Sequence, residues 1–202
     1  MAVQAVVFDI GGVLEITPDL GVTARWERRL GLGRGELDGR MADVWAAGSV
    51  GTLTEAGVQR AIKDRLGLDE QQAAAFWAGL WCQYLGTANT EMIEYARRLR
   101  PRYRTGIVSN SFVGAREREQ AAYGFEDLVD EIIYSHEAGV SKPDPRIYAL
   151  VCQRLSVHPW QTAFVDDDAG HCAGARRAGL HAVQHRDNNQ TIGEIGQLLA
   201  AP

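Results

Sequence analysis

The sequence predicts an α/β protein: a doubly wound parallel sheet, interrupted once by an all-helical segment. Three observations carry that expectation. The stretch Ala5-Val6-Val7-Phe8-Asp9-Ile10-Gly11-Gly12-Val13-Leu14 opens as a continuous apolar run and halts on a carboxylate and two glycines. A strand buried on both faces of a parallel sheet reads this way, and its carboxyl end is where such sheets place a ligand. From about residue 22 to residue 85 the apolar spacing is three and four, the period of a helix. Beyond Gly86, short apolar runs alternate with amphipathic stretches, as strands do with their crossover helices.

Residues 15–20, with Thr17, Pro18 and Asp19, read as a loop. Trp26, Arg29, Leu30, Leu37, Met41, Val44 and Trp45 then fall at helical spacing until Gly48-Ser49-Val50-Gly51 interrupts. Thr54 is the expected N-cap of the next helix and Gly67 its stop. A further helix over residues 70–85 carries Phe76, Trp77, Leu80, Trp81 and Tyr84. Residues 16–87 are thus expected to form a helical unit holding four of the five tryptophans. Packing of a small bundle accounts for most of these aromatics, with one or two left as candidates to face a substrate.

The α/β pattern, residues 1–15 and 88–202, resumes with a helix over 91–99 and a strand over 104–108 that ends on Ser109-Asn110-Ser111. A helix over 113–123, a strand over 131–134 and the Pro-punctuated loop 139–145 follow. Ile147, Leu150, Val151 and Leu155 mark the next helix, and the strand 161–165 ends on Asp166-Asp167-Asp168. A small-residue helix, 169–178, stops at Gly179, before a strand at 181–184 and a helix at 192–199.

Bulk properties narrow the function. The 202 residues carry a formal net charge of -5 and no basic stripe, which argues against a nucleic-acid partner. No apolar run is long enough to span a bilayer, and the N-terminus lacks the features of a signal peptide, so a cytoplasmic protein without a membrane partner is expected. Cys82, Cys152 and Cys172 are odd in number and widely spaced, and read as reduced, buried thiols. Nothing in the sequence fixes an oligomeric state.

Asp9, Ser109-Asn110 and Asp166-Asp167 each follow a strand, and Lys142 precedes Pro143. Parallel strands share a carboxyl end, so all four signals can converge there. Such a set suits displacement at phosphorus by a carboxylate. Asp9 would attack and form an aspartyl-phosphate, splitting one hard step into two. Asp9, the Gly11 carbonyl and Asp167 offer the oxygen ligands that Mg²⁺ prefers. Ser109, Asn110 and nearby backbone N–H groups would hold the phosphoryl oxygens while Lys142 neutralises charge.

These residues resemble the motifs of the haloacid dehalogenase-like hydrolases. Phe8-Asp9-Ile10-Gly11-Gly12-Val13-Leu14 resembles the first motif, Val108-Ser109-Asn110 the second and Ser141-Lys142-Pro143-Asp144 the third. Phe164-Val165-Asp166-Asp167 with Ala173-Gly174-Ala175-Arg176-Arg177-Ala178-Gly179 is similar to the fourth. The resemblance implies a Rossmann-like core with the helical segment as a first-type cap. It is closest to members with an Asp-x-Gly first motif, some of them small-sugar phosphatases. The implied activity is Mg²⁺-dependent hydrolysis of a small phosphorylated metabolite.

Two departures from the pattern stand out. Gly11 occupies the place where most phosphatases of this family carry a second Asp as general acid and base. Leaving-group protonation then falls to water, to the substrate or to another carboxylate such as Glu15. Such catalysis typically contributes about 10²–10⁴-fold, so a slow enzyme or a good leaving group is expected. His171 stands where the subgroup usually has Asn or Asp; it shares a helix face with Asp167 and, with Asp166, reads as a hydrogen-bonded neighbour of the ligands. Carbon–halogen hydrolysis by the same nucleophile is an alternative that does not need the missing Asp. A weakened member that only binds a phospho-ligand is another.

Overall fold

The computed structural model describes residues 2–201; Met1 and Pro202, the outer ends of the expected core segments, lie outside the described residues. β1 (Ala5–Phe8) is buried along its whole length and is the centre of a five-stranded parallel sheet. It pairs with β4 (Arg104–Ser109) on one side and β6 (Thr162–Asp166) on the other. β5 (Glu131–Tyr134) and β7 (His181–Gln184) complete the order β5-β4-β1-β6-β7. The chain therefore steps outward from β1 to β5, returns and steps out the other way through β6 to β7. Beside β1 the winding reverses, which opens a crevice at the carboxyl ends of the strands.

Alternate residues of β1 feed two cores, as a period of two requires. Val6 and Phe8 pack with α5 (Thr90–Leu99) and α11 (Asn188–Ala200) through Met92, Ile93, Ala96 and Ile195. Ala5 and Val7 pack with α9 (Pro145–Leu155) and α10 (Ala169–Arg177) through Ile147, Tyr148, Val151 and Ala175. Truncating Phe8, which is 0% exposed, to Ala is expected to cost about 3–5 kcal/mol.

Four helices, α1 (Val22–Leu30), α2 (Glu36–Ser49), α3 (Glu55–Leu66) and α4 (Glu70–Leu85), build a third core from Val22, Trp26, Leu37, Met41, Ile62 and Phe76. Thr54 caps α3 by accepting from the Gly57 N–H, and Gly67 ends it in the left-handed region at φ 64°. This core leans on the sheet through the loop after β4. The Phe112 ring lies so close to Gly48 that a Cβ there would come within 2.2 Å of Cζ. On α6 (Ala115–Tyr123), Arg118 pairs with Glu55 of α3 at 2.6 Å.

The loop expected at residues 15–20 is partly strand. β2 (Glu15–Ile16) pairs antiparallel with β3 (Thr87–Ala88), so the two chain crossings form a ribbon. Asn89 locks it, donating from Nδ2 to the Val13 carbonyl at 2.8 Å and from its N–H to the Leu14 carbonyl at 2.9 Å. Two short helices, α7 (Phe125–Leu128) and α8 (Ser135–Ala138), also escape the sequence pattern, being single turns. Cys152 and Cys172 are buried free thiols, whereas Cys82 is exposed, against expectation. Among the described residues, no helix is long and apolar enough to cross a membrane.

Candidate active site

The carboxyl ends of β1, β4 and β6 lie side by side because the strands run parallel and nearly in register: Phe8 is level with Ile107 and Val165. Asp9, Ser109 and Asp166 therefore meet at one edge. Asp9 is 8% exposed, and its Oδ1 accepts from the Ile10 N–H at 2.7 Å. Lys142 reaches the same oxygen at 2.7 Å and Asp166 Oδ2 at 2.6 Å, so its ammonium fills the space between two carboxylates.

Asn110 puts Lys142 there. Its side-chain amide donates to the Lys142 carbonyl at 2.9 Å and accepts from the Lys142 N–H at 2.7 Å. Its side chain thus grips the chain that carries the lysine. Asp166, fully buried, accepts further bonds from the Asp168 N–H at 2.9 Å and from His171 Nδ1 at 3.1 Å. The helix that presents His171 starts where Asp168 caps it, accepting from the His171 N–H at 2.8 Å.

The charges settle accordingly. Burial pushes the Asp9 carboxyl up to about 7, with Lys142 pulling it down and Asp166 adding to the rise. Burial works to raise Asp166 too, but its bonds to His171 and Lys142 outweigh that and hold it below the usual carboxylate range. Burial opposes the charges of Lys142 and His171; their carboxylate partners outweigh it, and both are raised.

Ser109 is buried, at 4% exposure. The two glycines after Asp9 serve different ends. Gly12 holds φ +75°, and a Cβ on it would come within 2.5 Å of Asp167 Oδ2, so Asp167 lies against the turn after β1. Gly11 avoids the left-handed region, and a Cβ there would meet only Thr17 Oγ1 at 3.5 Å and Glu15 Oε2 at 3.8 Å. Burial and the Asp166 charge raise the carboxyl of Asp167. Ligand atoms of Asp9, Asp166 and His171 lie within 4.8 Å of one another, but the Lys142 ammonium already bridges the two carboxylates of that set. On the Gly12 side Asp167 brings a further carboxylate, outside that set. Hard divalent cations of the Mg²⁺ type suit such donors.

Sequence reasoning missed a second acidic group. Glu119 on α6 is 1% exposed and its Oε2 has no bonded partner among the described residues. Burial pushes it up to about 7, against the pull of the Tyr134 and Tyr84 hydroxyls. Glu15 is pushed up to about 8 by burial, against the hydrogen bond from Thr17. Glu119 sits in the polar run Ala115-Arg116-Glu117-Arg118-Glu119-Gln120, which reads as a solvated helix.

The chain belongs to the haloacid dehalogenase-like hydrolases, whose family model matches residues 3–179. A phosphatase of Mycobacterium tuberculosis is 37% identical over 90 residues, 44% of this chain and 41% of that protein. An (S)-2-haloacid dehalogenase of Burkholderia cepacia is 30% identical over 97 residues, 48% of this chain and 42% of that one. These matches thus span less than half of either relative. A D-ribitol-5-phosphate phosphatase of Bacteroides thetaiotaomicron is 24% identical over 90% of this chain and 91% of its own. A family enzyme from the same organism, solved with magnesium and inorganic phosphate, superposes with a TM-score of 0.76 at 20% identity, covering 92% of this chain and 95% of that one.

Proposed function

We propose that the protein is a Mg²⁺-dependent phosphatase of a small phosphorylated metabolite, with Asp9 as nucleophile. The observation that carries this reading is the Asp9–Lys142–Asp166 bridge, which fixes a buried carboxylate beside an ammonium that no exposed partner competes for. An Asp9 oxygen attacks phosphorus, the P–O bond to the leaving group breaks, and its electron pair leaves with that oxygen. Water then attacks the phosphorus of the aspartyl-phosphate and returns Asp9. Lys142, held by Asn110 and Asp166, offsets the charge that accumulates on the phosphoryl oxygens. The Ser109 hydroxyl and the Asn110 main chain are assigned to those oxygens. Asp9, the Gly11 carbonyl and Asp167 would hold Mg²⁺, which would supply the charge neutralisation that lets a carboxylate approach a phosphate dianion. Asp166 and His171 act from behind, by orienting Lys142.

Helices α1–α4, residues 16–87, are assigned as a cap that closes over the site about the β2–β3 ribbon. The three free thiols and the absence of a spanning helix among the described residues fit a reducing, cytoplasmic setting.

Gly11 favours a second reading, carbon–halogen hydrolysis. There Asp9 forms a carboxyl ester that water opens at the Asp9 carbonyl, and no acid is needed at position 11. It leaves Asp167 without a task. A panel of p-nitrophenyl phosphate and 2-haloacids, run with Mg²⁺ and with EDTA, decides. Metal-dependent phosphate release is expected; halide release that ignores EDTA overturns the phosphatase assignment.

A further inference from the structure

The sheet edge accounts for the phosphoryl group but not for what it is attached to. Between the helical segment and the loop after β4 lies a cavity of about 550 Å³, within the range of small-molecule sites. Asn110 and Ser111 form part of its wall, and Asn110 is the residue that holds Lys142, so the cavity adjoins the Asp9 end of the sheet.

Five aromatic side chains line it: Trp45, Trp77, Trp81, Tyr84 and Phe112. Their rings meet edge to face, Trp45 with Phe112 at 6.0 Å, Trp77 with Trp81 at 5.5 Å and Trp81 with Tyr84 at 5.0 Å. Trp45 donates its indole N–H to Asp38 at 3.3 Å, and Trp77 donates to Glu55 at 3.2 Å. These two rings therefore offer a ligand hydrocarbon alone. Among the described residues no Lys or Arg lines the space, and the one charged side chain that does is the carboxylate of Asp38. A second anionic group would be repelled here. Ser49, Gln83, Asn110 and Ser111 add polar groups to the wall, but Gln83 Oε1 accepts from the Leu20 N–H, Ser111 Oγ is bonded to His136 and the Asn110 amide to Lys142, so a polyol would lose water from most of its hydroxyls against ring faces.

Gly11 adds an independent observation. With no carboxyl at that position, an ester whose leaving oxygen needs no proton reacts best, and a phenolate is such a group. Resting on the phosphatase reading, we propose that the substrate is an aryl phosphomonoester whose ring sits in this cavity, against Trp45, Trp77 and Trp81. The Asp9–phosphorus bond forms, the phosphorus–aryl oxygen bond breaks, and the phenolate carries off the electron pair and takes its proton from water.

The test compares kcat/KM of the wild-type protein with Mg²⁺ for phenyl, benzyl, glycerol and ribitol phosphates. Benzyl phosphate is the control, since its alkoxide leaves as poorly as that of glycerol, so its preference reports the cavity alone. The expected order is phenyl, then benzyl, then the polyol esters, with benzyl about tenfold or more above glycerol. Trp45→Ala should lower kcat/KM for benzyl phosphate about tenfold more than for glycerol phosphate. If that variant does not fold, the wild-type order decides alone. Polyol phosphates hydrolysed as well as benzyl phosphate, or an equal loss for both in Trp45→Ala, would overturn the substrate class and leave the phosphatase reading standing. No phosphate release from any ester, p-nitrophenyl phosphate included, would overturn both.

Discussion

Replacing Asp9 by Asn keeps the shape of the side chain and removes the charge that attacks. Turnover of a phosphomonoester should fall by about 10³-fold or more while the circular dichroism spectrum stays that of the wild type. A variant retaining most of the activity removes Asp9 from the chemistry. Gly11 allows the opposite experiment, because its backbone and surroundings admit a side chain, whereas Gly12 admits none beside Asp167. Gly11→Asp should speed hydrolysis of alkyl phosphates, within the 10²–10⁴-fold reach typical of acid catalysis, and change p-nitrophenyl phosphate little. An unchanged leaving-group dependence in a folded, metal-binding variant points instead to Glu15 as the proton source. Glu119 tests the electrostatics. Its carboxyl, pushed up to about 7, is neutral in the folded protein well above the range where the unfolded chain ionises near about 4.3. That contribution to stability is whole below the unfolded value and lost as pH rises through about 7. Urea midpoints of the wild type should therefore drop more between pH 5.5 and pH 8.5 than those of Glu119→Gln. Parallel drops would mean that the buried carboxyl does not sense the pH as described.

At the scale of the element, local chemistry was legible and pairing was not. Thr54 and Gly67 bound α3 as the sequence indicates, since a cap is a contact within one turn. Thr54→Ala should cost about 1 kcal/mol in a thermal or urea melt; no measurable loss would mean the cap bond is not formed in solution. β2 and β3 escaped because a two-residue strand has no period, and each exists only through the other. Exposed Cys82 and the aromatic lining share one cause. α4 is apolar around much of its circumference, so periodicity shows that it packs without showing which face meets which neighbour. Trp26 and Phe76 pack edge to face in the helical core, as bundle packing requires. Trp45 and Trp77 pack against that core as well, and with Trp81 and Tyr84 they line the cavity.

Over the whole molecule, the convergence of Asp9, Ser109, Lys142 and Asp166 was legible because a rule of topology, not of local sequence, brings them together. Glu119 was hidden for the converse reason, since burial of a charged helix residue depends on what another segment lays over it. The cap assignment belongs to this scale. Limited proteolysis should cut first near residues 15–18, near 86–89 or in the loops between α1 and α4; early cleavage within the five-stranded sheet would contradict that division.

The central claim is phosphoryl transfer to Asp9, and the most direct measurement is mass spectrometry of the Asp9 peptide after acid quench during turnover of a phosphomonoester with Mg²⁺. One phosphoryl group on Asp9 is expected, absent in Asp9→Asn and after EDTA, and heavy oxygen from labelled water should enter the released phosphate and not the Asp9 carboxylate. Turnover with no phosphoryl group on Asp9 under conditions that preserve acyl phosphates, or labelled oxygen in the Asp9 side chain, would contradict the account.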